Sequence, residues 1–420
     1  MDVIAAIVFL AALSLIALEW VHRTKVALAG AALIVLVGAA DQESAIAAID
    51  WATLGLLTGM MVLVGLTERT GVFTYLALRS AQLSRGRPFQ LVVLLAGATG
   101  ILSAFLDNLT AILLVVPITL LLADLLGIPA VPLVIIEIVA SNIGGTATLI
   151  GDPPNIMIGS RVPELTFTDF VVNLAPVAAL TLVCATALLY LLFRARLSIP
   201  PERARELAQL DPARDMRGRP YVFRSIAILL GTIVAFFLHA PLHVEPAIVA
   251  LSGATAMLLV AADDVEEALT RVDWSTIFFF LGLFVMVGGL EEQGIIGEVA
   301  VFLGDVTDGS RTAEAMVILW GSAAGSALVD NIPFTAAMLP VVDELGSDQA
   351  FDDANWWALA LGACFGGNAT VIAAAANVAA SGIVERSGQS LSFRQFMVIG
   401  VPVTVLSLLI ATAYLLLFQV

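Results

Sequence analysis

"FLDNLTAILLVVP", residues 105–117, sets an aspartate between two stretches apolar enough for hydrocarbon, "LVVLLAGATGILSA" (91–104) and "AILLVVPITLLLADLL" (111–126). A charged side chain at the centre of a membrane helix costs roughly 2.5–3.5 kcal/mol on insertion scales. The chain accepts that cost again at 328–340, "LVDNIPFTAAMLP". Two such aspartates in like surroundings point to a function inside the membrane.

Composition agrees that the protein is a membrane protein. Of 420 residues, 60% are apolar and 13% charged, with a mean hydropathy of +1.00, against about 45–50% and about 25% in ordinary soluble domains. The result is an all-α, multi-pass chain. "VIAAIVFLAALSLIALEW" (3–20) has no basic segment before it and no obvious cleavage site, so it reads as a retained span. The net charge of −16 comes from acidic loops, and there is no basic stripe to bind nucleic acid. Neither a phosphate-binding GxxxxGK[ST] nor a dinucleotide-binding GxGxxG occurs, and nothing suggests an enzyme. Cys184 and Cys364 lie in apolar stretches and read as small buried residues; His22, His239 and His243 lie at span ends and read as interfacial.

The chain is written twice. "IDWATLGLLTGMMVLVGLTERTGV" (49–72) resembles "VDWSTIFFFLGLFVMVGGLEEQGI" (272–295) at an offset of 223. The same offset puts Asp107-Asn108 on Asp330-Asn331, Pro117 on Pro340 and Gly30 on Gly253. At an offset of 222, "GGTAT" (144–148) falls on "GGNAT" (366–370) and Asn155 on Asn377, and later "TFTDF" (166–170) matches "SFRQF" (392–396). The first repeat occupies 1–193 and the second 225–420, and the Arg- and Pro-rich segment 194–224 links them. Within the linker, "PERARELAQL" can form a short surface helix.

Each repeat has room for five spans. They are expected near 3–21, 26–40, 51–67, 130–160 and 170–193, and again near 225–240, 246–262, 274–290, 356–384 and 396–418. Re-entrant helical hairpins are expected at 89–126 and 314–345. An odd number of crossings inverts the second repeat relative to the first. With the linker in the cytoplasm, 17 of the 19 Lys and Arg residues lie inside, all but Arg161 and Arg311, as the positive-inside rule requires. Both termini then face outward, and the acidic loop 263–271 is cytoplasmic.

Inverted repeats with interrupted helices mark a transporter's midplane site. One interruption per repeat is the hairpin tip, Asp107-Asn108-Leu109-Thr110 and Asp330-Asn331-Ile332-Pro333. Each tip aspartate either caps the following helix or holds charge beside its free amides. The other interruption is "SNIGGTATLIGDPPN" (141–155) and its match "CFGGNATVIAAAANV" (364–378), read as unwound stretches that turn carbonyls inward, since such backbone survives only where it is buried or lines a cavity. The alternative for the glycines is close helix packing. Asp152 aligns with Ala374 and Glu137 with Leu359, so the first repeat has two extra carboxylates. Asp152 is either a coupling-ion group or a turn former, and Glu137 either such a group or an interhelix hydrogen-bonding residue. No Lys or Arg lies inside the spans near these motifs, and carboxylates favour a proton or Na⁺ as one transported species.

"SAFLDNLTAILLVVP", "SNIGGTATLIGDPPN", "DNIPFTAAMLP" and "LGACFGGNATVIAAAANVAASGIVE" resemble the ArsB/NhaD branch of the ion transporter superfamily, with its citrate-transporter-like domain, and within it the group of the melanosomal P protein and its bacterial relatives. The resemblance implies a dimerising scaffold domain and a moving transport domain, as in an elevator. It implies an ion- or substrate-binding set of Asp107, Asn108, Thr110, Asn142, Gly144, Gly145, Thr146, Thr148, Asp152 and Asn155. From the second repeat it implies Asp330, Asn331, Thr335, Gly366, Gly367, Asn368, Thr370 and Asn377. If Na⁺ is the coupling ion, Asn108, Thr146, Asn331 and Asn368 are its expected ligands. The family's dicarboxylate symporters carry Ser-Asn-Thr at the tips where this chain has Asp-Asn, which weighs against a dicarboxylate. The expectation is a secondary active ion transporter of the inner membrane, H⁺- or Na⁺-coupled, embedded in lipid as a homodimer, with no further cofactor. The alternatives are an arsenite or antimonite efflux permease, which could recruit a soluble ATPase, and a passive anion channel.

Overall fold

The described residues of the computed structural model, 2–18, 20–214, 216–261, 265–346 and 353–420, form helices and no strand. Glu19 in the first expected span, Ala262 at the end of another, and Asp263 and Asp264 of the acidic loop lie outside them. The first half comprises α1 (Asp2–Ala17), α2 (Arg23–Leu36), α3 (Gln42–Ala47), α4 (Trp51–Glu68), α5 (Val72–Leu83), α6 (Pro88–Phe105), α7 (Asn108–Leu126), α8 (Ala130–Gly145), α9 (Pro153–Arg161) and α10 (Phe167–Phe193). The linker carries α11 (Pro201–Gln209), the short surface helix. The second half comprises α12 (Arg219–Leu238), α13 (Pro246–Ala261), α14 (Val265–Leu269), α15 (Trp274–Glu292), α16 (Ile295–Thr307), α17 (Arg311–Leu328), α18 (Asn331–Gly346), α19 (Asp353–Gly366), α20 (Ala375–Arg386) and α21 (Phe393–Phe418).

The duplication is visible in the helix starts. From α2 to α8, each helix begins 223 residues before its twin, for example at 51 in α4 and 274 in α15. The matched sequence motifs are helix caps. Asp50 in "DWAT" accepts from the Thr53 amide at 2.9 Å and hydroxyl at 2.5 Å, and Asp273 in "DWST" repeats this with Thr276 at 3.2 and 2.6 Å. "TFTDF" and "SFRQF" are capping boxes, Thr166 with Asp169 on α10 and Ser392 with Gln395 on α21. Caps are what a repeat conserves when its apolar faces diverge, because the orphan amides of a helix start always need acceptors.

The structure adds and trims elements. Helices α3, α5, α14 and α16 were not expected. They are short or amphipathic, too brief to cross a bilayer. The expected unwound stretches shrink. Helix α8 continues through Gly145, the break covers only 146–152, and Pro153 and Pro154 start α9, since proline suits a first helical turn. In the second half α19 continues through Gly366, and 367–374 holds a single 3₁₀ turn, Val371–Ala373. Among the described residues, seven segments suffice by length and composition to cross a membrane: Gln42–Glu68 (α3–α4), α6, α7, α10, α12, α15 and α21. The helices α1, α8 and α13 are shorter and apolar. The expected long spans 130–160 and 356–384 are each two half-helices, so length alone misses them.

Ion pairs fix the directions. Glu68 at the end of α4 meets Arg271 just ahead of α15 at 3.7 Å, and Arg69 pairs with Glu267. Asp50 before α4 lines the same hollow as Glu291 at the end of α15. The twins α4 and α15 therefore run in opposite directions, which is an inverted repeat. Each packs against the other half: α4 beside α13, and α15 beside α2, where Thr24 bonds Ser275 at 2.8 Å. These helices, with α1 and α12, form a scaffold; the hairpins α6–α7 and α17–α18, the broken helices α8–α9 and α19–α20, and α10 and α21 pack together as the transport domain.

Small residues make the scaffold's interlock possible. A Cβ on Gly59 would lie 2.7 Å from the Ala250 carbonyl carbon of α13, and a Cβ on its twin Gly282 2.6 Å from that of Ala27 in α2. Both contacts are with backbone, which cannot swing aside. Lipid gives no hydrophobic drive between helices, so such close approach is a main source of association. Gly59→Val or Gly282→Val is expected to destabilise the fold by about 1–3 kcal/mol through overpacking, and Gly97→Val much less, since nothing lies within 4 Å of a Cβ at Gly97. Thermal unfolding in detergent of the three variants measures the difference.

Candidate functional site

The two breaks are closed by asparagines. Where α8 stops, the carbonyls of Thr146 and Thr148 lose their helical partners, and Asn155 Nδ2 of α9 donates to both, at 3.0 and 2.8 Å. Asn377 Nδ2 of α20 does the same for Gly367 and Thr370, at 2.6 and 2.9 Å. Each break is also stitched to the first hairpin arm of its own half. Ser103 donates to Ser141 O at 2.7 Å and Thr148 to Ala104 O. In the second half Ser326 donates to Ala363 O at 2.7 Å and Thr370 to Ala327 O at 2.9 Å.

Four helix starts then meet at one place: the tips at Asn108 of α7 and Asn331 of α18, and the breaks at Pro153 of α9 and Ala375 of α20. They surround a cavity of about 20 Å³ that Arg23 and Thr276 also line, large enough for about one water molecule. Carboxylates stand at three of the four starts. Asp107 caps α7, accepting from the Thr110 amide at 2.8 Å and hydroxyl at 2.5 Å. Asp330 accepts from Ile332 N at 3.0 Å. Asp152 precedes α9, and the fourth start has Ala374 in that place. The positive ends of helices partly compensate such charges.

The two sides of the pseudo-two-fold are built differently. On one side Asn142 Nδ2 donates to Asn377 Oδ1 at 3.0 Å and Asn368 Oδ1 at 3.1 Å, with Gly367 O at 3.5 Å, while Asn142 Oδ1 accepts from Asn108 at 3.3 Å. On the other side Cys364 stands where Asn142 would be, its thiol 3.8 Å from Asn155 Oδ1 and beside Asp152. Asp152 Oδ1 accepts from Asn331 Nδ2 at 3.1 Å, joining the second hairpin tip to the first break. Asp152 is fully buried, and its Oδ2 has no hydrogen-bond partner among the described residues. An isolated carboxylate removed from water calls for a proton or a cation.

The expected site residues therefore separate. Asn108, Asn142, Gly367, Asn368 and Asn377 form one hydrogen-bonded group, and Thr146 joins it by donating to Asn142 O at 2.8 Å. Asp152, Asn155 and Asn331 gather with Cys364. Of the four expected Na⁺ ligands, Asn108, Thr146 and Asn368 each bond Asn142, and Asn331 bonds Asp152. The hydroxyls of Thr110, Thr148, Thr335 and Thr370 are occupied, Thr335 by Asn331 O of its own helix at 2.7 Å. Gly144 and Gly366 are helical. A Cβ on Gly144 would lie 2.2 Å from Gly100 O and one on Gly366 2.6 Å from Ala323 O, so close packing, the alternative reading of these glycines, applies to them.

Sequence reasoning missed Arg23, whose guanidinium comes from the start of α2 to meet Asp330 Oδ2 at 3.3 Å. It also donates to Thr276 at 3.0 Å and lies over the Phe279 ring at 5.1 Å, so a scaffold cation reaches the tip of a transport-domain hairpin. The expectation that no Lys or Arg lies inside the spans near these motifs did not cover Arg23, which lies between two expected spans and reaches inward. Its twin position holds Pro246, and that mismatch was the available signal. Cys364, expected only as a small buried residue, belongs to the site, whereas Cys184 is half-buried. His239 is also more than interfacial: it is buried and its Nε2 accepts from Phe167 N at 3.1 Å, at the start of α10.

Hollows flank the cavity at opposite ends of α15. One of about 420 Å³ reaches Arg23 and Asp330 from beside α1 and α20. The other, of about 410 Å³, is lined by Asp50, Arg161 and Glu291, where Arg161 of α9 pairs with Asp343 of α18 at 2.8 Å and Glu291 of the scaffold at 3.4 Å. Both hollows lie on the seam between scaffold and transport domain.

Comparison with known proteins places this architecture. An uncharacterized transporter of Mycobacterium tuberculosis is 41% identical over 422 residues, covering 99% of this chain and 98% of the relative. The 46 kDa membrane protein of Mycobacterium leprae is 39% identical over the same shares. The P protein of Homo sapiens is 33% identical over 501 residues, covering 99% of this chain and 60% of that protein. The crystal structure of the YdaH transporter from Alcanivorax borkumensis, described as having an unusual topology, superposes with a TM-score of 0.59 at 16% identity, covering 88% of this chain and 86% of that one, a likeness of fold. The CitMHS family model, described as citrate transporter, matches residues 13–362. The chain is a multi-pass membrane transporter and belongs to the CitMHS family.

Proposed function

We propose that the protein is a secondary active ion transporter, coupled to H⁺ or Na⁺, whose transport domain slides against the scaffold as an elevator. The observation that carries this is the charge arrangement on the seam: three carboxylates at helix starts, with a cation of the other domain, Arg23, paired to one of them. A displaced transport domain takes Asp330 away from Arg23 and breaks that ion pair, and buried Asp152 has an oxygen with no hydrogen-bond partner among the described residues. Binding of a proton or Na⁺ then decides whether the domain can cross, which is coupling in its simplest physical form. Antiport of a small ion is the leading cycle.

Flanking hollows of about 420 and 410 Å³ with only about 20 Å³ between them support alternating access over a passive anion pore. A citrate-sized anion would have to win Arg23 from Asp330, which favours a small ion as the substrate. The amide-rich group around Asn142 also suits a small neutral hydroxide such as arsenite, and that is the second reading. The distribution of Lys and Arg supports a reading with the linker and the Arg23 hollow on the cytoplasmic side of an inner membrane and both termini outside. Exposed apolar side chains on the scaffold, such as Phe223 and Leu259, leave it room to pair with a second copy in lipid.

Purified protein in liposomes with a pH dye sealed inside, challenged separately with Na⁺, chloride and arsenite, tests the reading. A dye response to one solute, abolished in Asp152→Asn, is expected. That variant keeps an oxygen for Asn331 and loses only the charge, so unchanged coupled flux in it overturns the role of Asp152. Arg23→Gln strips a charged hydrogen bond worth about 1.5–3 kcal/mol and is expected to slow transport by roughly tenfold or more. Adding Asp330→Asn removes the other partner of that ion pair as well. The double variant should not recover transport, as the flux assay would read.

A further inference from the structure

The first repeat buries a second carboxyl that the seam does not use. Glu137, midway along α8, has no exposed surface. Thr119 of α7 donates to its Oε1 at 2.5 Å, and its Oε2 has no hydrogen-bond partner among the described residues. The duplication supplies an internal control. Offsets of 222–223 put Leu359 in the place of Glu137, Val342 in that of Thr119 and Ala363 in that of Ser141. All three are buried, and α18 packs on α19 as α7 packs on α8. The same helix contact thus closes in one repeat with apolar side chains and in the other around a carboxyl. Packing does not require Glu137, and burying it costs free energy that Leu359 avoids.

The polar branch has a direction. Ser141 lies one helical turn beyond Glu137, on the same face of α8. Its hydroxyl is 3.0 Å from Asn108 O at the hairpin tip and 3.1 Å from Ser103 Oγ. The helices packed against α8 carry other titratable groups: Asp124 on α7, Asp169, Cys184 and Tyr190 on α10, Asp353 and Cys364 on α19, and Glu385 and Arg386 on α20, with none on α6. Among the described residues none of them is bonded to Glu137, and no base stands beside it to hold it as an ion pair.

We infer that Glu137 is a proton-binding site of the transport domain, reached from the hairpin tip through the Ser141 hydroxyl and separate from the carboxylates on the seam. On uptake an O–H bond of hydronium breaks as the carboxyl O–H forms, and on release the carboxyl O–H breaks as an O–H bond forms on water. The inference rests on the reading of the chain as a coupled transporter, in which Glu137 adds a second carried proton to whatever ion the seam binds.

Infrared difference spectra of the protein in lipid, recorded between acid and alkaline buffer, test it directly. A protonated-carboxyl band that titrates is expected, lost in Glu137→Gln and kept in Asp152→Asn. A Glu137 band unchanged across the range, or no band assignable to it, overturns the inference, because a purely structural acid would not exchange. The triple variant Glu137→Leu, Thr119→Val, Ser141→Ala copies the second repeat's own packing. It should unfold near the wild-type temperature while losing one proton per cycle in liposomes; an unchanged proton count overturns the inference. If the triple variant fails to fold, the spectrum of Glu137→Gln still decides. Normal coupled flux in Asp152→Asn with a titrating Glu137 band would sink the seam reading alone.

Discussion

Hydrocarbon offers a broken helix no hydrogen bonds, and the centre of this protein is arranged around that constraint. Each interruption frees carbonyls that are buried away from water, where an unsatisfied one costs several kcal/mol. Asn155 and Asn377 answer with amides donated across the break, while break threonines donate to hairpin-arm carbonyls and hairpin serines to carbonyls of the broken helices. Only with the backbone satisfied internally can four helix starts point at one small cavity and leave carboxyl and amide side chains for ions.

The pseudo-two-fold makes the exceptions legible. The capping aspartates Asp50 and Asp273 and the close-packed glycines Gly59 and Gly282 are twins that agree and maintain the fold. Where twins differ, the first repeat is usually the more polar: Asp152 against Ala374, Asn142 against Cys364, Arg23 against Pro246, Glu137 against Leu359. A symmetric ancestor would have offered two equal sites related by the axis. This chain has made one side an amide cluster and the other a buried carboxylate, and a cation held to one side supplies a preference for direction of charge.

Most of the architecture could be read from sequence because its signals are local and repeated. The apolar runs, the caps and the constant offset are properties of short windows, and the same windows hold the helix starts that repeat 223 residues apart. The extent of unwinding could not be read, because Gly144-Gly145 in a membrane helix is compatible with both a break and a close backbone contact, and only the position of Gly100 decides. Arg23 escaped for a related reason. Its role depends on which helix from the other half lies beside it, and no pattern within one repeat encodes that neighbour. The grouping of the site asparagines into two clusters is likewise a product of the fold's long-range pairing.

The crossed pairing of scaffold helices also bears on how the chain is made and where it came from. Since α2 lies beside α15 and α4 beside α13, neither half contains the partner for its own glycine-bearing faces. During synthesis the first half must wait in the bilayer with those faces turned to lipid until more than half of the chain has been inserted. An ancestor encoding a single half could have completed the same interlock only by inserting in both orientations and joining two copies head to tail. The linker with α11 joins in one chain what such an ancestor would have had to pair between two copies.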